Sequence, residues 1–169
     1  MRNYLCRPKR KDRQTKILVI LLGILALFLF LLSTRFNAAK GVLQLCSALL
    51  FLVVVQFTTR FLLTDYRYGL EDGTLFLSSR QGRREKHLGG LPITSETAIL
   101  SREEWKARKK EFPLSARFSY CQNLAPEQPY YLLAPEEEKG FVLLTFEPDE
   151  TLLSLLNEEI KSRKGARYD

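Results

Sequence analysis

The chain has 169 residues, a formal charge of +7, 46% hydrophobic residues, three cysteines and one histidine. One histidine leaves too few ligands for a zinc site built from Cys and His, and the widely spaced Cys6, Cys46 and Cys121 imply no disulfide framework. The charge does not mark a nucleic-acid binder either, because residues 1–16 hold +6, residues 35–40 add +2, and everything from residue 58 onward sums to −1.

Residues 1–16 read as a basic tail with Arg7, Lys9, Arg10, Lys11, Arg13 and Lys16 as its cations beyond Arg2. Ile17 to Leu32 is a run of sixteen apolar residues without a charge. With Ser33 and Thr34 it covers roughly 27 Å as a helix, close to the ~30 Å hydrocarbon core, so residues 17–34 are predicted to span a membrane. Residues 35–40 form a short turn, and residues 41–59, with Gln44 and Gln56 their only fully polar side chains before Thr58, are predicted to cross back. Asn37-Ala38-Ala39 is similar to a signal-peptidase site, but the first run is longer than a usual signal core and the second would still anchor the product. Lys and Arg beside a span stay on the cytoplasmic side. The expected location is therefore the cell's inner or plasma membrane, multi-pass, with both termini cytoplasmic and the 35–40 turn outside. Gln44, Cys46 and Ser47 are polar enough to line a helix interface, through which the chain could form a homo-oligomer.

Residues 60–161 are predicted to form a cytoplasmic α+β domain, followed by a polar tail at 162–169. Thr58 to Leu70 alternates, with Leu62, Tyr66, Tyr68 and Leu70 on one face and Asp65 and Arg67 on the other, as a half-buried strand does. Asp72-Gly73 is a strong hairpin signal, and Thr74 to Ser79 is the returning strand. Arg83 to Ile93, broken by Gly89-Gly90 and Pro92, reads as an irregular edge strand. Ser101 to Lys110 has a capping residue, early acids and a basic end. It is predicted to be a short helix with Trp105 against the sheet or at the membrane interface. Ala116 to Gln122 alternates again, and Tyr130 to Ala134 and Gly140 to Phe146 flank an acidic turn, Pro135 to Lys139. Pro148 to Ile160 repeats Leu152, Leu153, Leu156 and Ile160 along one side, which predicts a helix that closes the domain.

This order gives six or seven antiparallel strands and a terminal helix. With the membrane hairpin, the Tyr66-Arg67-Tyr68 strand, Gln81 to Lys86 before Leu91-Pro92-Ile93, and Leu144-Thr145-Phe146-Glu147-Pro148-Asp149-Glu150 leading into Leu152-Leu153-Ser154-Leu155-Leu156, it resembles small bacterial two-span membrane proteins that carry a C-terminal pleckstrin-homology-like (PH-like) domain. The resemblance covers about Thr58 to Lys161. It implies an antiparallel β-sandwich or partly open barrel closed by a C-terminal helix, and a binding or assembly platform with no enzymatic activity and no cofactor. Phosphoinositide binding is not implied, since Glu71 and Asp72 occupy the first hairpin turn. Gly89-Gly90 and the long insert around Trp105 depart from the pattern.

Candidate contact residues for a lipid or partner are the cations of the tail and Arg83, Arg84, Lys86 and Trp105. Arg80 and His87 belong to the same cluster, although charges on an edge strand also serve simply to block sheet-to-sheet aggregation. Glu136, Glu137 and Glu138 lack calcium-loop spacing. No phosphate loop, His-Glu-x-x-His or Gly-x-Ser-x-Gly occurs. The expected function is a non-enzymatic, membrane-anchored PH-like platform for a protein or lipid partner. The alternative is an accessory subunit of a membrane enzyme or transporter complex.

Overall fold

The two charge-free stretches fold into helices in a computed structural model, which describes residues 4–10, 12–36, 39–136 and 140–165. Of the residues singled out above, Arg2, Lys11, Asn37, Ala38, Glu137, Glu138, Lys139 and residues 166–169 lie outside the described ones. Two units result: Arg10–Thr64, and Met1–Lys9 together with Asp65–Asp169.

The first unit is a helical hairpin of α1 (Asp12–Ser33) and α2 (Lys40–Phe57). Both helices are long and apolar enough to cross a membrane. Ala26 and Ser47 are buried where they meet, and the Ser47 hydroxyl donates to the Ala26 carbonyl at 2.8 Å. Small residues let the two backbones come this close, and the hydroxyl finds an acceptor where water is absent. Gln44 and Cys46 point outward and take no part in this contact. The sequence predicts a strand from Thr58, but α2 continues as a π-helical turn, Thr58–Leu63. The hydroxyls of Thr58 and Thr59 donate to the carbonyls of Val54 and Val55, both at 2.8 Å. Each hydroxyl finds its acceptor in the turn before, a geometry that often bends a helix, and the strand begins only at Thr64.

Among the described residues the second unit holds eight strands in two four-stranded sheets and two helices. The first sheet has the order β1 (Tyr4–Cys6), β2 (Thr64–Glu71), β3 (Thr74–Gln81), β4 (Arg84–Pro92). The strand β1 corrects the reading of residues 1–16 as a tail throughout. It pairs antiparallel with β2, Tyr4 opposite Leu70 and Cys6 opposite Tyr68, and Cys6 is only 1% exposed. The cations around Tyr4-Leu5-Cys6 hide a segment too short for an alternation to register. Asp72 and Gly73 turn β2 into β3 with φ of 47° and 71°, the paired positive values of a type I′ turn. As predicted, β4 lies at the sheet's edge, with a bulge opposite Leu77 and Ser78.

The second sheet has the order β5 (Ala98–Leu100), β7 (Tyr130–Glu136), β8 (Gly140–Phe146), β6 (Leu114–Ser119). The fold is thus mostly, not wholly, antiparallel, because β6 runs parallel to β8. The apolar strand β8 is hydrogen-bonded on both sides, and the connection from Tyr120 to Pro129 is long enough to carry the chain past its end. The short helix α3 (Arg102–Arg108) begins with a complete capping box between Ser101 and Glu104. Its Trp105 stacks on Tyr131 at 5.6 Å, so of the two places predicted for this ring the sheet holds it.

The closing helix α4 (Glu150–Gly165) buries Leu152, Leu156 and Ile160. They pack in one core with Tyr66, Tyr68, Leu75 and Leu77 from the first sheet and Leu132, Leu144 and Phe146 from the second. Leu153, predicted for the same face, is half-buried, and Leu155 packs against the core instead. Asp149 caps the helix, accepting from the Leu152 N–H at 2.8 Å, and also accepts from the Tyr4 hydroxyl at 2.7 Å. Burial alone would raise this carboxyl, but the bonds from Tyr4, Leu152 and Cys6 outweigh it and hold the carboxyl below its ordinary value. Burial pushes the Cys6 thiol up to about 11.

Candidate functional site

The outer face of the first sheet carries a groove of about 490 Å³, floored by β2 and β3 and walled by β1 and β4. Alternation puts Arg67 and Gly69 of β2 and Phe76 and Ser78 of β3 on this face, because their neighbours Tyr66, Tyr68, Leu75 and Leu77 fill the core. Leu5 stands over Gly69, where a Cβ would lie 3.7 Å from the leucine side chain. Glu85 and His87 complete the wall, the His87 ring 5.6 Å from that of Phe76.

Arg67 corrects the sequence reading, which set it on the solvent side with Asp65. It is 8% exposed, because β1 makes β2 an inner strand and the groove's walls cover the guanidinium. Its Nη1 donates to both Glu85 oxygens at 3.2 and 3.3 Å, and Glu85 also accepts from the Ser78 hydroxyl at 3.0 Å. The Arg67 Nε is buried and has no partner among the described residues. A paired guanidinium with donors to spare, a half-exposed carboxylate and an apolar floor of Phe76 and Leu5 suit a ligand that brings a polar group together with apolar surface. Arg67 of β2 and Glu85 of β4 meet across the intervening strand β3, at Ser78, so no pairing of adjacent strands in the sequence could have signalled them.

The sequence-predicted contact residues separate into groups. Arg83, Arg84 and Lys86 are exposed together at the β3–β4 turn, beside Arg80, whose Nε donates to the Gly82 carbonyl at 2.9 Å. Arg7 and Lys9 are exposed just after β1, and the Lys9 carbonyl accepts from Asn123 at 2.9 Å. In the helical unit, Arg13 and Lys16 are exposed on the first turns of α1, while the Arg10 Nη2 donates to the Thr64 carbonyl at 3.0 Å. Trp105 belongs to a separate cluster with Leu100, Leu133 and Leu143 in the second sheet, away from the β3–β4 turn. Among the described residues no three metal-ligating side chains gather.

A polar network fixes the loop that follows β6. Glu147 accepts from the backbone N–H of Gln122 and Asn123 at 2.6 and 3.0 Å and from Asn123 Nδ2 at 2.9 Å. Gln122 Oε1 in turn accepts from the Tyr66 N–H at 2.9 Å, and the Tyr68 hydroxyl donates to the Tyr120 carbonyl at 2.6 Å. Burial drives the Tyr68 phenol far above its ordinary value, so it remains a donor. Comparison of the chain with protein-family models, with curated proteins and with solved structures finds no match to any of them.

Proposed function

We propose that this chain is an integral protein of a bacterial inner membrane, in which the α1–α2 hairpin anchors a PH-like domain at the cytoplasmic face as a non-enzymatic platform for a partner. The carrying observation is the pairing of β1 with β2. These strands stand immediately before and after the hairpin, and strands of one sheet occupy one compartment. A hairpin whose two ends join in a sheet leaves the bilayer on the side it entered. The cations at Arg7, Lys9, Arg10, Arg13 and Lys16 favour the cytoplasm as that side. Two packed sheets with a C-terminal helix seated in their shared core support the PH-like reading. The parallel β6 is this chain's own variation on that plan. The groove around Arg67 and Glu85 is the surface offered to the partner.

Paired fusions at the C-terminus test the reading. A fluorescent protein fused there is expected to fluoresce and alkaline phosphatase to be inactive, with the chain resisting alkaline extraction from membranes. An active phosphatase, or release of the chain by alkali, would overturn it.

A further inference from the structure

We infer that the β3–β4 turn is a cationic foot that rests on anionic phospholipid headgroups; this deepens the membrane reading above and depends on it. Three observations lead there. The first is placement. The two-residue turn at Asp72-Gly73 makes β2 and β3 antiparallel, so the start of β2 and the end of β3 lie at one end of the sheet. The chain enters β2 at Thr64 directly from the helical unit, and β1 leaves toward α1 at that same end, since Cys6 lies opposite Tyr68 and Tyr4 opposite Leu70. The Gly82-Arg83 turn therefore sits at the end where the chain comes from and goes to the hairpin.

The second observation is charge. Arg80, Arg83, Arg84 and Lys86 are exposed, and none forms an ion pair among the described residues. Of the carboxylates at this end, Glu85 is engaged by Arg67, and Asp65 at the start of β2 has interactions of its own. At about 3.4 Å per residue the four cations fall within roughly 10 Å of the sheet's end, comparable to the ~8 Å screening length at physiological salt. The acids of the opposite turn, Glu71 and Asp72, stand roughly 24 Å away along β3 and are screened from them.

The third is distribution. Charges that only guard an edge strand are spread along it, whereas the other half of β4, Leu88 to Pro92, has none. The same end of the domain also presents Leu124, 37% exposed, next to the Asn123 that bonds the Lys9 carbonyl. Cations and an apolar side chain presented at one end of the domain fit the headgroup layer of an anionic membrane.

The test compares amide hydrogen exchange of the full chain in nanodiscs of phosphatidylcholine alone and of phosphatidylcholine with phosphatidylglycerol. Exchange over Arg80 to Lys86 is expected to slow about ten-fold in the anionic discs, and the effect to vanish at high salt. The quadruple variant R80Q/R83Q/R84Q/K86Q is expected to lose that protection while β7 and β8 exchange as before, which shows the fold intact. Equal exchange of the unmodified turn in both lipids overturns the inference and leaves the membrane reading standing. Failure of the chain to enter either disc overturns both.

Discussion

Replacing Asp149 by alanine tests whether the strand ahead of the hairpin belongs to the sheet domain. The carboxylate has two separate duties, capping α4 through the Leu152 N–H and accepting from the Tyr4 hydroxyl of β1. Losing an N-cap costs ~1 kcal/mol, and losing one hydrogen bond to a charged acceptor at an exposed site costs about 1 kcal/mol more. Asp149→Ala is thus expected to destabilise by about 2 kcal/mol, lowering the midpoint of thermal unfolding by roughly 10 °C. Tyr4→Phe removes only the second contribution, about 1 kcal/mol. The double variant should be no worse than Asp149→Ala, giving a coupling of about 1 kcal/mol in a double-mutant cycle. Thermal unfolding in detergent supplies the energies, and amide exchange at Tyr4 to Cys6 shows whether β1 opens first. The pH dependence has a definite sign. Because the folded carboxyl titrates below its unfolded value, its contribution is complete above about pH 5 and is lost as pH falls through the folded value. Asp149→Asn should flatten that acid limb. Additive effects of Tyr4→Phe and Asp149→Ala, with fast exchange over Tyr4 to Cys6 in the unmodified chain, would refute the claim that β1 is held.

Other consequences can be measured in the same way. Leu156→Ala, at a side chain with no exposure under both sheets, should cost ~2–5 kcal/mol in thermal or denaturant unfolding. Glu147→Ala leaves two backbone N–H groups of the 122–123 loop without their acceptor, and a loss of about 3 kcal/mol is expected, with faster exchange at Gln122 and Asn123. Gly140→Ala meets a φ of 100° and the Pro113 carbonyl, so it should destabilise by more than ~1 kcal/mol in a melt. With its thiol raised to about 11, Cys6 should resist an aromatic disulfide reagent at pH 8 until denaturant is added. Deprotonation of Cys6 above pH ~9 should oppose folding.

How far each feature could be read from residues followed the range over which its cause acts. The two long helices, the Asp72-Gly73 turn, the capped start of α3 and the amphipathic α4 rest on local signals, and each is present. Three-residue strands carry no usable period, so Ala98–Leu100 escaped notice and Tyr4–Cys6 passed for part of a charged tail. The direction of β6 depends on which neighbour it finds, a choice made by the buried strand β8 rather than by Ala116 to Ser119 themselves. Arg67 was misjudged because strict alternation along β2 could not show that β1 would cover it. The cationic cluster at Arg83, Arg84 and Lys86 was visible as composition. Its position at one end of the sheet became visible only with the hairpin.

On the membrane reading proposed above, the discontinuous sheet would make the domain a checkpoint on its own insertion. Residues 4–6 leave the ribosome long before β2 does, and they must wait through the synthesis of both helices for their neighbour. If only one helix crossed the bilayer, the two strands would be stranded in different compartments and Cys6 would never reach the core. On that reading, completion of the sheet would report that both crossings had been made, and quality-control proteases would meet the failed product as a chain with a permanently open edge.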